Sequence, residues 1–189
     1  MRARPLAAMA VAAFLATNAA AAPQAPMPIA LGGPFSLVDH TGAARSEADF
    51  RGRYMLIFFG YAACKGICPM ALPRMLGALD ALGEMGRRIR PVFVSVAPAG
   101  ETPGTLRAFV EKLHPRLVGL TGTPERLRAF AQSYKVEAKI IGRFPDRAPI
   151  ISHGSLVYLV GPDGRFISLF PPVMGSAVMA AAIRSYLPD

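Results

Sequence analysis

Residues 54–74 read Tyr54-Met-Leu-Ile-Phe-Phe-Gly-Tyr-Ala-Ala-Cys-Lys-Gly-Ile-Cys-Pro-Met-Ala-Leu-Pro-Arg74, and the reading of this stretch decides the fold. The continuous apolar run at 55–59 fits a strand buried on both faces, Gly60 ends it, and Pro69 stands where a helix takes its first residue. Cys64 and Cys68, the two cysteines of the chain, therefore fall on a strand-to-helix connection. At the carboxyl end of a buried strand, such a connection holds side chains that the sheet fixes yet solvent can reach. Open α/β sheets carry their reactive groups there.

Beyond the cysteines, Leu72, Met75, Leu76, Leu79 and Leu82 recur at helical spacing. A helix over 69–82 is expected to pass Pro73, whose missing N–H falls near the first turn. A second buried strand is expected at 91–96. Thr102-Pro103 and Thr123-Pro124 each place a capping hydroxyl before a proline at the first helical position. They predict helices over 103–113 and 124–134, with a short strand at 117–120 between them. A strand at 136–141 follows, then a loop over 142–149 carrying Arg143, Asp146 and Arg147, then strands 155–160 and 165–170 joined by Gly161-Pro162-Asp163-Gly164. A helix over 176–187 closes the chain. Toward the amino end, 35–38 fits a short strand, Asp39-His40-Thr41-Gly42 a turn, and 46–50 leads into the central strand. The pattern predicts an α/β domain, a mixed central sheet flanked by helices.

At 189 residues the chain can bury one sizeable core without staples. Arg2 and Arg4 precede the apolar run 6–17 and the small-residue string 18–22, the layout of a secretory signal peptide over 1–22. The run holds 12 residues, where a spanning helix needs about 20, so an uncleaved signal acting as an anchor is the alternative reading. No cysteine lies near the cleavage region, so a lipid-modified amino terminus is not expected. The proline- and glycine-rich residues 23–33 suit a linker, and the folded domain is expected over 34–189. Export to the periplasm, with inner-membrane attachment if the signal stays, puts the thiol pair in an oxidising compartment. There it becomes a disulfide unless a reductant or a metal intervenes. Removal of Arg2 and Arg4 lowers the basic count from 21 to 19 against 12 acidic residues, a net charge near +7. That balance suits an acidic partner or an anionic membrane surface, or is simply a solvated basic surface. Scattered arginines, with no basic stripe interleaved with aromatics, argue against nucleic acid.

Cysteines four residues apart lie on one face of a helical turn, near enough for both sulfurs to reach one ion or to join in a disulfide. As a staple the pair is weak, because closing so short a loop restricts the unfolded chain by roughly 2 kcal/mol. N–H groups at the helix start, together with Lys65, are expected to favour thiolate, which is both nucleophile and metal ligand. Two thiolates suit a soft ion, copper(I) above all, and a third ligand would decide whether copper(II) is also held. His40 in a turn and His114 before Pro115 read as solvent-facing residues rather than ligands. His153 follows a long loop and stands just ahead of strand 155–160. It can be laid over the cysteines or be an ordinary satisfied histidine, and periodicity leaves both open. Met70 and Met75 read as helix core rather than as copper-transfer groups.

Taken together, four segments resemble the Sco (SenC/PrrC) copper proteins, in order and over most of the chain from Pro34. They are Phe58-Phe59-Gly60-Tyr61, the Cys64-x-x-x-Cys68-Pro69 element, Phe93-Val94-Ser95-Val96, and Ser152-His153 ahead of Tyr158-Leu-Val-Gly-Pro-Asp-Gly164. The resemblance implies a thioredoxin-like fold and copper, as Cu(I) or Cu(II), bound by Cys64, Cys68 and His153. It implies a metallochaperone that assists assembly of the dinuclear copper centre of cytochrome c oxidase, or that reduces the cysteines of that centre. Expected partners are the oxidase subunit bearing that centre, or another periplasmic copper protein, and a thiol reductant. A monomer is expected.

Three positions depart from the family pattern. Ser152 stands where Asp commonly precedes the ligand histidine, Ala97-Pro98 where Asp-Pro is usual, and Lys65-Gly66 where Pro-Asp is usual. Each makes the site less negative, which is expected to favour copper(I) over copper(II). The alternative from another class is a thiol–disulfide oxidoreductase in which Cys64 and Cys68 act on partner cysteines. A third is an adaptor whose cysteine pair stays oxidised.

Overall fold

The computed structural model describes residues 24–97, 101–147 and 149–188, so the expected signal segment lies outside it. Strands β1 (Ser36–Asp39) and β2 (Ala44–Ser46) pair around the turn at Asp39-His40-Thr41-Gly42, where Gly42 adopts a φ of 91°. A single 3-10 turn, Glu47–Phe50, leads into β3 (Tyr54–Gly60), and its start is closed by reciprocal bonds between Ser46 and Asp49. Helix α1 (Cys68–Ala81) runs through Pro73 without a break, and the short α2 (Glu84–Arg87) precedes β4 (Ile89–Ser95). Then come α3 (Pro103–Val110), β5 (Val118–Thr121) and α4 (Pro124–Ser133). β6 (Ala138–Arg143), β7 (Pro149–His153), β8 (Val157–Val160), β9 (Phe166–Phe170) and α5 (Ser176–Arg184) complete the order.

Seven strands form one sheet in the order β2-β1-β5-β4-β3-β8-β9, parallel across β5, β4 and β3 and antiparallel elsewhere. Every residue of the central β3 is buried. Because successive side chains of a strand point to opposite faces, its apolar run feeds two cores at once. Leu56 and Phe58 pack with Leu72 of α1, Leu106 of α3 and Ile183 of α5. Met55, Ile57 and Phe59 pack on the other face with Leu127 and Phe130 of α4 and with Tyr134 just after it. No helix among the described residues is long and apolar enough to cross a membrane.

The two threonine caps form as expected: Thr102 and Thr123 accept from the backbone N–H groups of Thr105 and Arg126. Helix α3 stops at Val110 rather than 113, ahead of His114-Pro115, and α5 stops at Arg184 rather than 187. Residues 24–33 lie against the domain. The backbone N–H groups of Gln24, Met27 and Gly32 donate to Ser185, Ile167 and Ser133, and Met27 and Leu31 pack on the second core.

The largest departure from expectation is at 138–153. Residues 149–153, within and beyond the expected loop, form β7, which pairs with β6 as a separate antiparallel ribbon. The strand expected at 136–141 forms as β6, two residues later, but β7 was not expected because the ribbon is half-solvated: Ile151 is buried, while Ile140 and Ile141 of β6 are 62% and 67% exposed. Its side chains follow no inside–outside alternation of the usual kind.

Candidate metal centre

Strand β3 delivers the chain to the site, and Gly60 at its end is where a side chain cannot be fitted. A Cβ there would lie 3.0 Å from Cys68 Sγ and 2.9 Å from the Phe93 ring, so the missing methyl is what lets the thiol lie against the strand. Tyr61 turns the chain, and its carbonyl accepts from the N–H of Cys64 at 3.1 Å. Cys68 is the first residue of α1 and Pro69 the second. Cys68 is 2% exposed, Cys64 is partly exposed, and both are free thiols.

The ribbon supplies the third group. His153 is the last residue of β7, rather than part of a loop ahead of the next strand, and its Nε2 lies 3.9 Å from Cys68 Sγ. The Sγ atoms of Cys64 and Cys68 and a ring nitrogen of His153 all lie within 4.8 Å of one another. A planar three-coordinate ion with bonds of about 2.0–2.3 Å spaces its donors about 3.7 Å apart, so this set fits one ion. Two sulfurs and an imidazole suit a soft or borderline metal such as copper or zinc, and not magnesium or calcium.

The imidazole is held for that role. Its Nδ1 is 3.0 Å from the carbonyl oxygen of Gly154, which fixes the proton on Nδ1 and leaves the lone pair of Nε2 facing the sulfurs. The rings of Phe58 and Tyr61 stand edge-on to it, with centroids 6.3 Å and 6.0 Å away. A backbone carbonyl thus takes the place that an acid at position 152 was expected to fill. Ser152 itself is exposed and pairs with Lys139 across the ribbon.

Two features of the surroundings correct the sequence reading. Burial pushes the Cys68 thiol up, and its hydrogen bonding with Cys64 pushes the same way, so this sulfur holds its proton until a cation competes for it. The expected thiolate-favouring effect of the helix start does not prevail at Cys68. Lys65 places its ammonium on Asp146, 2.8 Å from Oδ2, and over the Phe144 ring, 4.6 Å from the centroid.

The sequence reading also missed an acid. Glu101 accepts from the backbone N–H of Ala62 and from the Ser95 hydroxyl, and burial pushes its carboxyl up against those two lowering bonds. It stands directly before the Thr102 cap. That position was visible in the sequence, but its partners were not. Ala97, where an acid was missed, instead packs with Tyr61, Ile151 and Cys64. The remaining candidates lie outside the cluster. His40 accepts from the N–H of Gly119, and the half-buried His114, expected to face solvent, accepts from the N–H of Arg116. Met75 is core as expected, whereas Met70 is 42% exposed.

Fold and site together define a class: a thioredoxin-like domain with a thiol–imidazole centre at its strand-to-helix turn. The SCO1/SenC family model matches residues 23–188, and the chain belongs to that family. The human mitochondrial protein SCO1 homolog is 34% identical over 159 residues, which cover 83% of this chain and 53% of that protein, so the chain spans about half of that relative's length. Protein SenC of Rhodobacter capsulatus is 34% identical over 158 residues, 83% of this chain and 71% of its own. The structure of Bradyrhizobium japonicum ScoI with copper bound superposes with a TM-score of 0.75 at 35% identity, covering 84% of this chain and 100% of that one.

Proposed function

We propose that the protein is an exported copper metallochaperone serving the copper centre of cytochrome c oxidase, with Cys64, Cys68 and His153 as the copper ligands. The observation that carries this is the convergence of two sulfurs and one oriented imidazole within 4.8 Å. A relative with copper bound and a family of cytochrome c oxidase assembly proteins support it. Cys68 is fixed by helix and core, while Cys64, in the loop ahead of the helix, is the less buried residue of the two. Copper therefore leaves by exchange at Cys64 first, as an incoming sulfur of the partner takes its place. The net positive charge favours encounter with an acidic partner.

Copper titration of the reduced protein, followed by absorption and paramagnetic resonance, tests this reading. One copper per chain is expected, with weaker binding or an altered spectrum in His153→Ala. Unchanged stoichiometry, affinity and spectrum in that variant overturn the three-ligand centre. Periplasmic location rests on residues 1–22, and the mass of the protein recovered from the periplasmic fraction checks it.

A second reading is favoured by the unequal exposure of two neighbouring free thiols. As a thiol–disulfide oxidoreductase, the Cys64 thiolate would attack a partner disulfide, form a mixed disulfide and expel the partner's other sulfur as thiolate. Cys68 would then displace the attached partner sulfur, leaving a Cys64–Cys68 disulfide and a reduced partner, and a thiol reductant would restore the pair. Copper-independent trapping of a mixed disulfide by Cys68→Ser supports that reading.

A further inference from the structure

The β6–β7 ribbon pairs with no strand of the seven-stranded sheet among the described residues. Its position over the cysteines depends on three fastenings. At the base, His153 meets the rings of Phe58 and Tyr61 edge-on. In the middle, the N–H of Ile151 donates to the Tyr61 hydroxyl at 3.3 Å, and its side chain packs on Tyr61, Ala97 and Cys64. At the tip, Asp146 and Phe144 meet Lys65, the residue that follows the first thiol.

We propose that Lys65 is a positioning residue for the metal centre: by gripping the ribbon tip through Asp146 and Phe144, it keeps His153 and Ile151 closed over the thiols. The proposal rests on the reading of Cys64, Cys68 and His153 as ligands. The tip is a closed turn, because Arg147 N–H donates to the Phe144 carbonyl at 2.8 Å and Arg143 donates to the Arg147 carbonyl at 3.0 Å. A pull on Asp146 is therefore carried down β7, whose last residue is His153. Lys65 and Asp146 are 55% and 57% exposed, so dissolved salt weakens the pair and the ribbon loosens as ionic strength rises.

Alkylation of Cys64 in the reduced full-length protein, followed by mass spectrometry at low and high salt, tests the grip. Lys65→Ala, which loses both the exposed ion pair and the cation–π contact, should speed it about fivefold, and Asp146→Ala, which loses the ion pair alone, about twofold. Both should also abolish the salt dependence. Lys65→Arg should retain protection, and the exchange Lys65→Asp with Asp146→Lys should recover most of it. In the copper(II)-loaded protein, the nitrogen hyperfine signal of His153 should fall in both alanine variants and return in the exchange. If Lys65 acted only by stabilising thiolate, Lys65→Ala would slow alkylation while Asp146→Ala sped it. That pattern, wild-type rates in the two alanine variants, or no recovery in the exchange overturns the proposal. Alkylation is read without copper, so a chain that failed to bind copper would sink the ligand reading and leave the result on the grip standing.

Discussion

The backbone N–H of Ala62 donates to the carboxylate of Glu101 at 2.5 Å, tying the start of the cysteine loop to a side chain 39 positions further on. Glu101→Ala leaves this N–H and the Ser95 hydroxyl without their acceptor. It should lower stability by about 1–3 kcal/mol and weaken copper binding by loosening the loop. Glu101→Gln keeps an oxygen in place and should cost less. Urea unfolding of the two variants measures both, and equal midpoints with wild type would show that the bond anchors nothing.

Gly60→Ala should damage the site more than a single methyl suggests. The added carbon meets Cys68 Sγ at 3.0 Å, Phe93 at 2.9 Å and Phe58 at 3.0 Å, all in the packed core. Overpacking of this kind costs about 1–3 kcal/mol. The thiol, as the terminal group, is what yields. The expected outcome is a lower melting temperature together with a changed sulfur-to-copper absorption band.

Ser152→Asp should leave the copper spectrum unchanged. Residue 152 is exposed, and the Gly154 carbonyl already engages His153 Nδ1. Paramagnetic resonance of the copper(II) form checks this, and a shifted nitrogen signal would show that an acid there still reaches the ring.

Acid stability should depend on Asp39, far from the cysteines. Burial works to raise its carboxyl, but the Thr41 hydroxyl, the Arg45 guanidinium and the N–H groups of Thr41 and Ala43 outweigh it, holding it at about 2 against an ordinary 3.8. The folded value lies below the unfolded one, so the ionised group stabilises the fold by about 2 kcal/mol above the unfolded value. That contribution is lost as pH falls through about 2. Asp39→Asn should lower stability at pH 7 and flatten its fall between pH 5 and pH 2 in urea titrations.

What the sequence discloses follows from how local the physics is. The buried run of β3, the Thr-Pro helix starts and the Gly161-Pro162-Asp163-Gly164 turn each depend on neighbours in the chain, and each forms where expected. The second strand of the ribbon does not announce itself because Ile151 is the one residue of β7 that is buried, with Pro149, Ile150 and His153 half-buried and Ser152 exposed. Glu101 was legible as an acid before a cap, but its use depends on Ala62 and Ser95, which only the folded sheet brings to it. Likewise, Lys65 read as a charge acting on the thiols until Asp146 proved to hold it.

The ribbon stands outside the main sheet, whose β3–β8 pairing uses no residue of 138–153. The hydrogen bonds that hold the main sheet together are therefore made without the ribbon. The exposed positions 140 and 141 can vary without touching the packing of the core, while Ile151 cannot.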